Sequence, residues 1–112
     1  MESLRQKKVA RLLQKDLGNY FQQEATHFVP GGLLTVTQVR VTPDLALAKV
    51  YLSVFPSEKA SAALQLVEEH GKAIRFYLGK NTRHQLRVIP ELQFYLDDSL
   101  DYAERIDQLL NE

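Results

Sequence analysis

Two strand-like runs, separated by a short turn, constrain this chain more than any other feature. Leu33–Val41 is rich in β-branched residues (Thr35, Val36, Thr37, Val39, Val41) and reads as a strand. Ala46–Phe55 alternates with period two, placing Ala46, Ala48, Val50, Leu52 and Val54 on one face. Leu47, Lys49, Tyr51, Ser53 and Phe55 fall on the other. The connection Thr42-Pro43-Asp44-Leu45 is too short for a crossover and holds a Pro suited to a fixed φ, so the two strands form an antiparallel hairpin. Such a hairpin, apolar on one face, must be covered by something.

The rest of the chain supplies the cover. Ser3 followed by Gln6 is a capping-box pattern that starts a helix. Val9, Leu12, Leu13, Leu17, Tyr20 and Phe21 then recur at helical spacing, and Val29-Pro30-Gly31-Gly32 breaks the run. After the hairpin, Pro56-Ser57 opens a second helical region, with Ser57 as cap. Ala60, Ala63, Leu64, Val67, Gly71, Ile74 and Leu78 keep its inner face apolar or small. An interior Gly costs about 1 kcal/mol relative to Ala, so Gly71 is expected to mark a kink or a close backbone approach. The region divides into Ser57–Glu69 and Lys72–Thr82, joined at His70-Gly71. Val88, Pro90, Leu92, Phe94 and Leu96 alternate with Arg87, Ile89, Glu91, Gln93 and Tyr95 as a third strand, with Pro90 suggesting an edge or an irregular start. Asp98 or Ser99 then caps a final helix carrying Tyr102, Ala103, Ile106, Leu109 and Leu110.

The order is α-β-β-α-α-β-α. A strand, a helical crossover and a third strand imply a right-handed parallel unit added to the hairpin. The expected fold is α+β, a three-stranded mixed sheet with helices on one face, which is a KH-like type II topology with one extra helix. At 112 residues and 45% apolar, residues 1–112 suit a single domain with its own core.

Charge separates along the chain although the net charge is zero. Ser3–Lys15 holds Arg5, Lys7, Lys8, Arg11 and Lys15 with no acid, and Gly71–Pro90 holds Lys72, Arg75, Lys80, Arg83 and Arg87, again with none. Ten of the 14 basic residues therefore lie in two acid-free stretches, while Asp97–Glu112 carries six acids against Arg105. Such polarisation can create a strong local potential; ordinary solvated helix faces are the alternative. Lys72, Arg75, Gly79 and Arg83 fall at i, i+3, i+7 and i+11, one outward stripe with a bare Gly in its middle, flanked by Lys80 and followed by Arg87. Cations so spaced suit successive phosphates, and KH domains clamp a nucleic-acid backbone with a Gly-containing turn between helices. The candidate RNA-binding residues are Lys7, Lys8, Arg11, Lys72, Arg75, Lys80, Arg83 and Arg87. Tyr51, Phe55 and Tyr95 could stack bases, but ordinary cross-strand packing accounts for them better, and they are not candidates.

Catalysis is poorly supplied. The chain lacks cysteine, and His27, His70 and His84 are far apart with no metal-ligand spacing, so no enzymatic activity, metal or cofactor is expected. Asp97-Asp98 could pair on a metal, yet helix capping explains at least one of them. Gly79-Lys80-Asn81-Thr82 lacks the first Gly and preceding strand of a phosphate loop. The charged N-terminus is unlike a signal peptide, no apolar run approaches the ~20 residues of a membrane span, and the absence of cysteine fits a reducing cytoplasm.

Three stretches resemble the ribosome-binding factor A family. They are Thr42-Pro43-Asp44-Leu45 leading through Ala48-Lys49-Val50-Tyr51-Leu52-Ser53; Ile74-Arg75 followed by Leu78-Gly79; and Pro90-Glu91-Leu92, then Phe94, then Asp97-Asp98-Ser99. Their order and spacing cover nearly the whole domain. The resemblance implies a KH-type assembly factor that binds the immature small ribosomal subunit, supports processing of its ribosomal RNA, and matters during growth in the cold. A monomer is expected. Two departures stand out: Glu69-His70-Gly71 replaces the family's Ala-x-Gly at the kink, and two extra residues lie between Arg83 and Pro90. The rival reading is a protein-interaction adaptor that uses the acidic final helix and never touches RNA.

Overall fold

The computed structural model describes residues 2–97. The final helix expected from Asp98 or Ser99 onward, with Tyr102, Ala103, Ile106, Leu109 and Leu110, lies outside the described residues. Helix α1 (Leu4–Gln23) begins with a complete capping box. Ser3 Oγ accepts from the Gln6 amide at 3.1 Å, and Gln6 Oε1 accepts from the Ser3 amide at 2.8 Å. Gln6 is itself buried, and its Nε2 donates to the Val41 carbonyl at 2.8 Å, so one side chain ties the helix start to the end of a strand.

Helix α1 stops earlier than the sequence break suggests. Glu24 caps it, and a single further turn, α2 (Ala25–Phe28), precedes Val29-Pro30-Gly31-Gly32. Gly31 adopts φ +75°, a conformation that favours Gly. Gly32 is required for space: a Cβ there would overlap the Phe55 carbonyl oxygen and a Val29 methyl.

Strands β1 (Leu33–Val41) and β2 (Leu47–Phe55) form the hairpin, and β3 (Glu91–Leu96) lies parallel to β2 on its other side. The mixed sheet therefore has the order β1-β2-β3. The hairpin contains a bulge at Thr37: Val36 pairs with Leu52 and Gln38 with Tyr51, leaving Thr37 extra. Because of it, Leu34 and Val36 before the bulge and Val39 and Val41 after it all face the core. Thr37 Oγ1 donates to Asp97 Oδ2 at 2.6 Å, joining the bulge to the end of β3.

The segment Ser57–Lys59 is a 3-10 turn, followed by α3 (Ala60–Glu69) and α4 (Gly71–Thr82). Ser57 is not a cap, in contrast to the sequence reading; instead Lys59 Nζ reaches back to the Pro30 carbonyl at 2.6 Å. The helix break falls at His70. Gly71 opens α4, and a Cβ placed on it would meet no atom within 4 Å, so no close backbone approach occurs there. The third strand is shorter than the alternation suggests, because Val88 is 75% exposed and the ladder begins where the Glu91 amide donates to the Ala46 carbonyl. Residues 83–90 instead run as an irregular connection.

Helices cover the sheet face formed by Leu34, Val36, Val39, Val41, Ala48, Val50, Leu52 and Val54. Leu13, Leu17 and Phe21 of α1, Val67 of α3, and Ile74 and Leu78 of α4 are fully buried against it. Each such side chain contributes about 1.5–3 kcal/mol of transfer free energy. Phe21 also meets Phe28 and Phe94 edge-on, at 5.5 and 6.5 Å between ring centroids. Among the described residues, no helix covers the opposite sheet face. Lys49 and Phe55 are exposed there, and Tyr51 stacks on Tyr95 across β2 and β3 at 5.5 Å.

Candidate nucleic-acid interface

Four of the eight basic candidates line two grooves, two in each. Lys72 and Arg75 stand on the first turns of α4 and line a groove of about 610 Å³ between the α3–α4 break and the edge strand β3. Glu68 and Gly71 complete its helical wall, and Glu91, Gln93 and Tyr95 project from β3. Helix α4 begins at His70 without a side-chain cap. Exposed Lys72, the uncapped helix start and the low profile of Gly71 occupy one rim. The edge strand, with Glu91, Gln93 and Tyr95, forms the other.

Arg75 has a structural duty as well. Its Nη2 donates to the Ile89 carbonyl at 2.8 Å, holding the irregular connection against α4 while the guanidinium remains exposed. That connection also overturns part of the expected stripe. A Cβ on Gly79 would lie 3.8 Å from the Ile89 side chain, so Gly79 is half-covered and offers no bare landing for a backbone. The stripe from Lys72 to Arg83 is interrupted in its middle.

A second groove, about 590 Å³, lies between the start of α1, the hairpin turn and the connection after α4. Lys8 of α1 and Arg87 of the connection line it together with Arg5, opposite Asp44 of the hairpin turn. The two acid-free stretches thus meet here, although they are far apart in sequence. Lys7, Arg11, Lys80 and Arg83 are exposed but line neither groove. Arg83 instead directs Nε at His84 Nε2, 3.3 Å away.

Sequence reasoning missed two residues. Arg5 lies in the acid-free stretch Ser3–Lys15, but its meeting with Arg87 is a tertiary event. Phe76 is 76% exposed on α4, one turn from both Lys72 and Lys80. Its position off the Ile74 and Leu78 stripe was a readable signal. A basic helix face with an exposed aromatic between two lysines can pair phosphates and stack a base. Tyr51 and Tyr95 are occupied by one another, and the Tyr95 hydroxyl donates to Gln93 Oε1 at 2.7 Å. Among the described residues, no three His, Asp or Glu side chains gather as a metal cluster, and no helix is long and apolar enough to cross a membrane.

The family model for ribosome-binding factor A matches residues 5–110. The chain belongs to the ribosome-binding factor A family. It is 43% identical to the ribosome-binding factor A of Cytophaga hutchinsonii over 112 residues, covering 100% of this chain and 84% of that protein. Its fold is similar to the crystal structure of ribosome-binding factor A from Thermus thermophilus, with TM-score 0.67 and 24% identity over 81% of this chain and 94% of that one. A Thermus thermophilus homology model fitted into a cryo-EM map of a 30S complex gives TM-score 0.65 and 24% identity, covering 80% of this chain and 91% of that one. The family and the fold agree with the α+β, KH-like architecture read from the sequence; of the α-β-β-α-α-β-α order, the last helix lies outside the described residues.

Proposed function

We propose that the protein binds the immature small ribosomal subunit as a single KH-like domain and supports maturation of its ribosomal RNA. The observation that carries this reading is the groove between the α3–α4 break and β3, where Lys72, Arg75 and the uncapped start of α4 face an edge strand. A KH domain holds a single strand in such a place, with the inter-helix turn on the backbone and the sheet edge toward the bases. The 30S complex of the Thermus thermophilus relative supports the same partner here. The protein acts as a monomer in the cytoplasm, by binding and without a chemical step of its own.

Sedimentation through a sucrose gradient of cell lysate tests it. The protein should comigrate with free small subunits and be absent from translating ribosomes. The double variant Lys72→Glu/Lys80→Glu reverses two exposed charges that hold nothing in the fold, so it should melt as the parent does. Its comigration should collapse, because attraction to phosphate becomes repulsion. Arg75 is left alone because it secures the Ile89 carbonyl. Glu58→Lys/Glu69→Lys serves as the control and should bind normally. A folded double variant that still comigrates would move the interface to the groove of Arg5, Lys8 and Arg87.

A further inference from the structure

His27 and His70 are 43 residues apart in the chain, yet their Nε2 atoms face each other at 3.2 Å. The packing that brings them together is apolar. Phe28 is buried against Phe21, and its ring meets the His70 ring edge-on at 5.4 Å, which sets α2 beside the α3–α4 break. Both imidazoles remain reachable, His27 exposed and His70 half-buried.

The proton on His70 can be placed. Its Nδ1 lies 2.8 Å from the Leu66 carbonyl oxygen, which can only accept, so Nδ1 carries the hydrogen. In the neutral ring Nε2 then presents a lone pair toward His27. Either His27 Nε2 donates a hydrogen to it, or both rings direct lone pairs at a shared cation. The second arrangement has specific dimensions. Two imidazole nitrogens on one tetrahedral ion, each at about 2.0–2.1 Å, stand roughly 3.3 Å apart with ring centroids about 5 Å apart. Here the values are 3.2 Å and 4.9 Å. The Leu66 carbonyl on the far nitrogen is also the outer-shell partner that a metal-bound imidazole usually has.

We propose that His27 and His70 form a two-imidazole site for a divalent transition-metal ion of the zinc type, with water at the remaining positions. Neutral imidazole favours zinc, nickel and copper over magnesium and calcium. The ion would bridge α2 to the break between α3 and α4, one residue from Gly71 on the groove rim. Two protein ligands make this a reversible site, unlike a closed structural one.

The test is calorimetric titration of the full chain with zinc chloride in a non-coordinating buffer, with magnesium chloride as the negative control. One equivalent of zinc should bind, and zinc but not magnesium should raise the Tm. His27→Gln and His70→Gln should each weaken binding more than about tenfold, since loss of even an outer-shell partner costs 10–100-fold. His84→Gln, which removes the remaining histidine, should bind as the parent does. Proton NMR of the parent removes any dependence on how the variants fold: zinc should move the ring resonances of two histidines and leave the third in place. Absence of saturable zinc binding would overturn the site. So would a zinc response centred on His84, or equal zinc affinity in folded His27→Gln or His70→Gln.

Discussion

Adding one methyl group at two different glycines should move stability in opposite directions. Gly32 has no room: its Cβ would overlap the Phe55 carbonyl oxygen, which belongs to the sheet, and a methyl of buried Val29. Neither neighbour is a flexible side-chain tip, so the backbone of the Val29–Gly32 turn must move, at a cost of about 1–3 kcal/mol or more. Gly71 has open space around the same position and begins a helix. Gly71→Ala should therefore stabilise by about 0.4–1 kcal/mol, mainly by restricting the unfolded chain. For a domain of this size 1 kcal/mol shifts the Tm by about 4 °C, so the two variants should differ by roughly 6 °C or more. Urea denaturation followed by circular dichroism measures both, with unchanged m-values required for the comparison. A Gly71→Ala variant as destabilised as Gly32→Ala would refute the reasoning and restore the close approach at the helix break. A silent Gly32→Ala would show that the turn yields freely.

Three further outcomes follow from single side chains. Gln6→Ala removes half of the capping box and leaves the Val41 carbonyl without its Gln6 donor, so urea midpoints should report a loss of about 1–3 kcal/mol. Asp44 is held below the usual carboxylate range, first by the Thr42 hydroxyl at 2.6 Å and then by the Ala46 amide at 3.1 Å. A depressed folded value stabilises the protein above the unfolded value near 3.8, and that contribution disappears as pH falls through the folded one. Thermal melts across the acid range should therefore show a weaker pH dependence in Asp44→Asn. Lys72→Gln should reduce the salt dependence of binding to single-stranded RNA, by about 0.7 in the slope of log K against log salt. An unchanged slope would remove Lys72 from the phosphate contacts.

The local elements were legible in the amino-acid sequence, because their signals lie within a few residues of one another. The β-branched run Leu33–Val41 and the alternation over Ala46–Phe55 were enough for the hairpin, and Ser3 with Gln6 was enough for the start of α1. Even the Thr37 bulge left a trace, the 2-3-2 spacing of Leu34, Val36, Val39 and Val41. Long-range packing selected which glycine is sterically required, since Gly32 meets a carbonyl more than twenty residues away while Gly71 meets nothing. It also set how the charges group. Helical spacing aligned Lys72 with Arg83, but the connection after α4 folds back through Arg75 and Ile89 and covers Gly79 between them. Arg5 and Lys8 join Arg87, and His27 meets His70, only because α1 and α2 pack beside α4 and the α3–α4 break. Periodicity and capping are short-range properties of the backbone, whereas these meetings depend on apolar side chains from distant segments sharing one core.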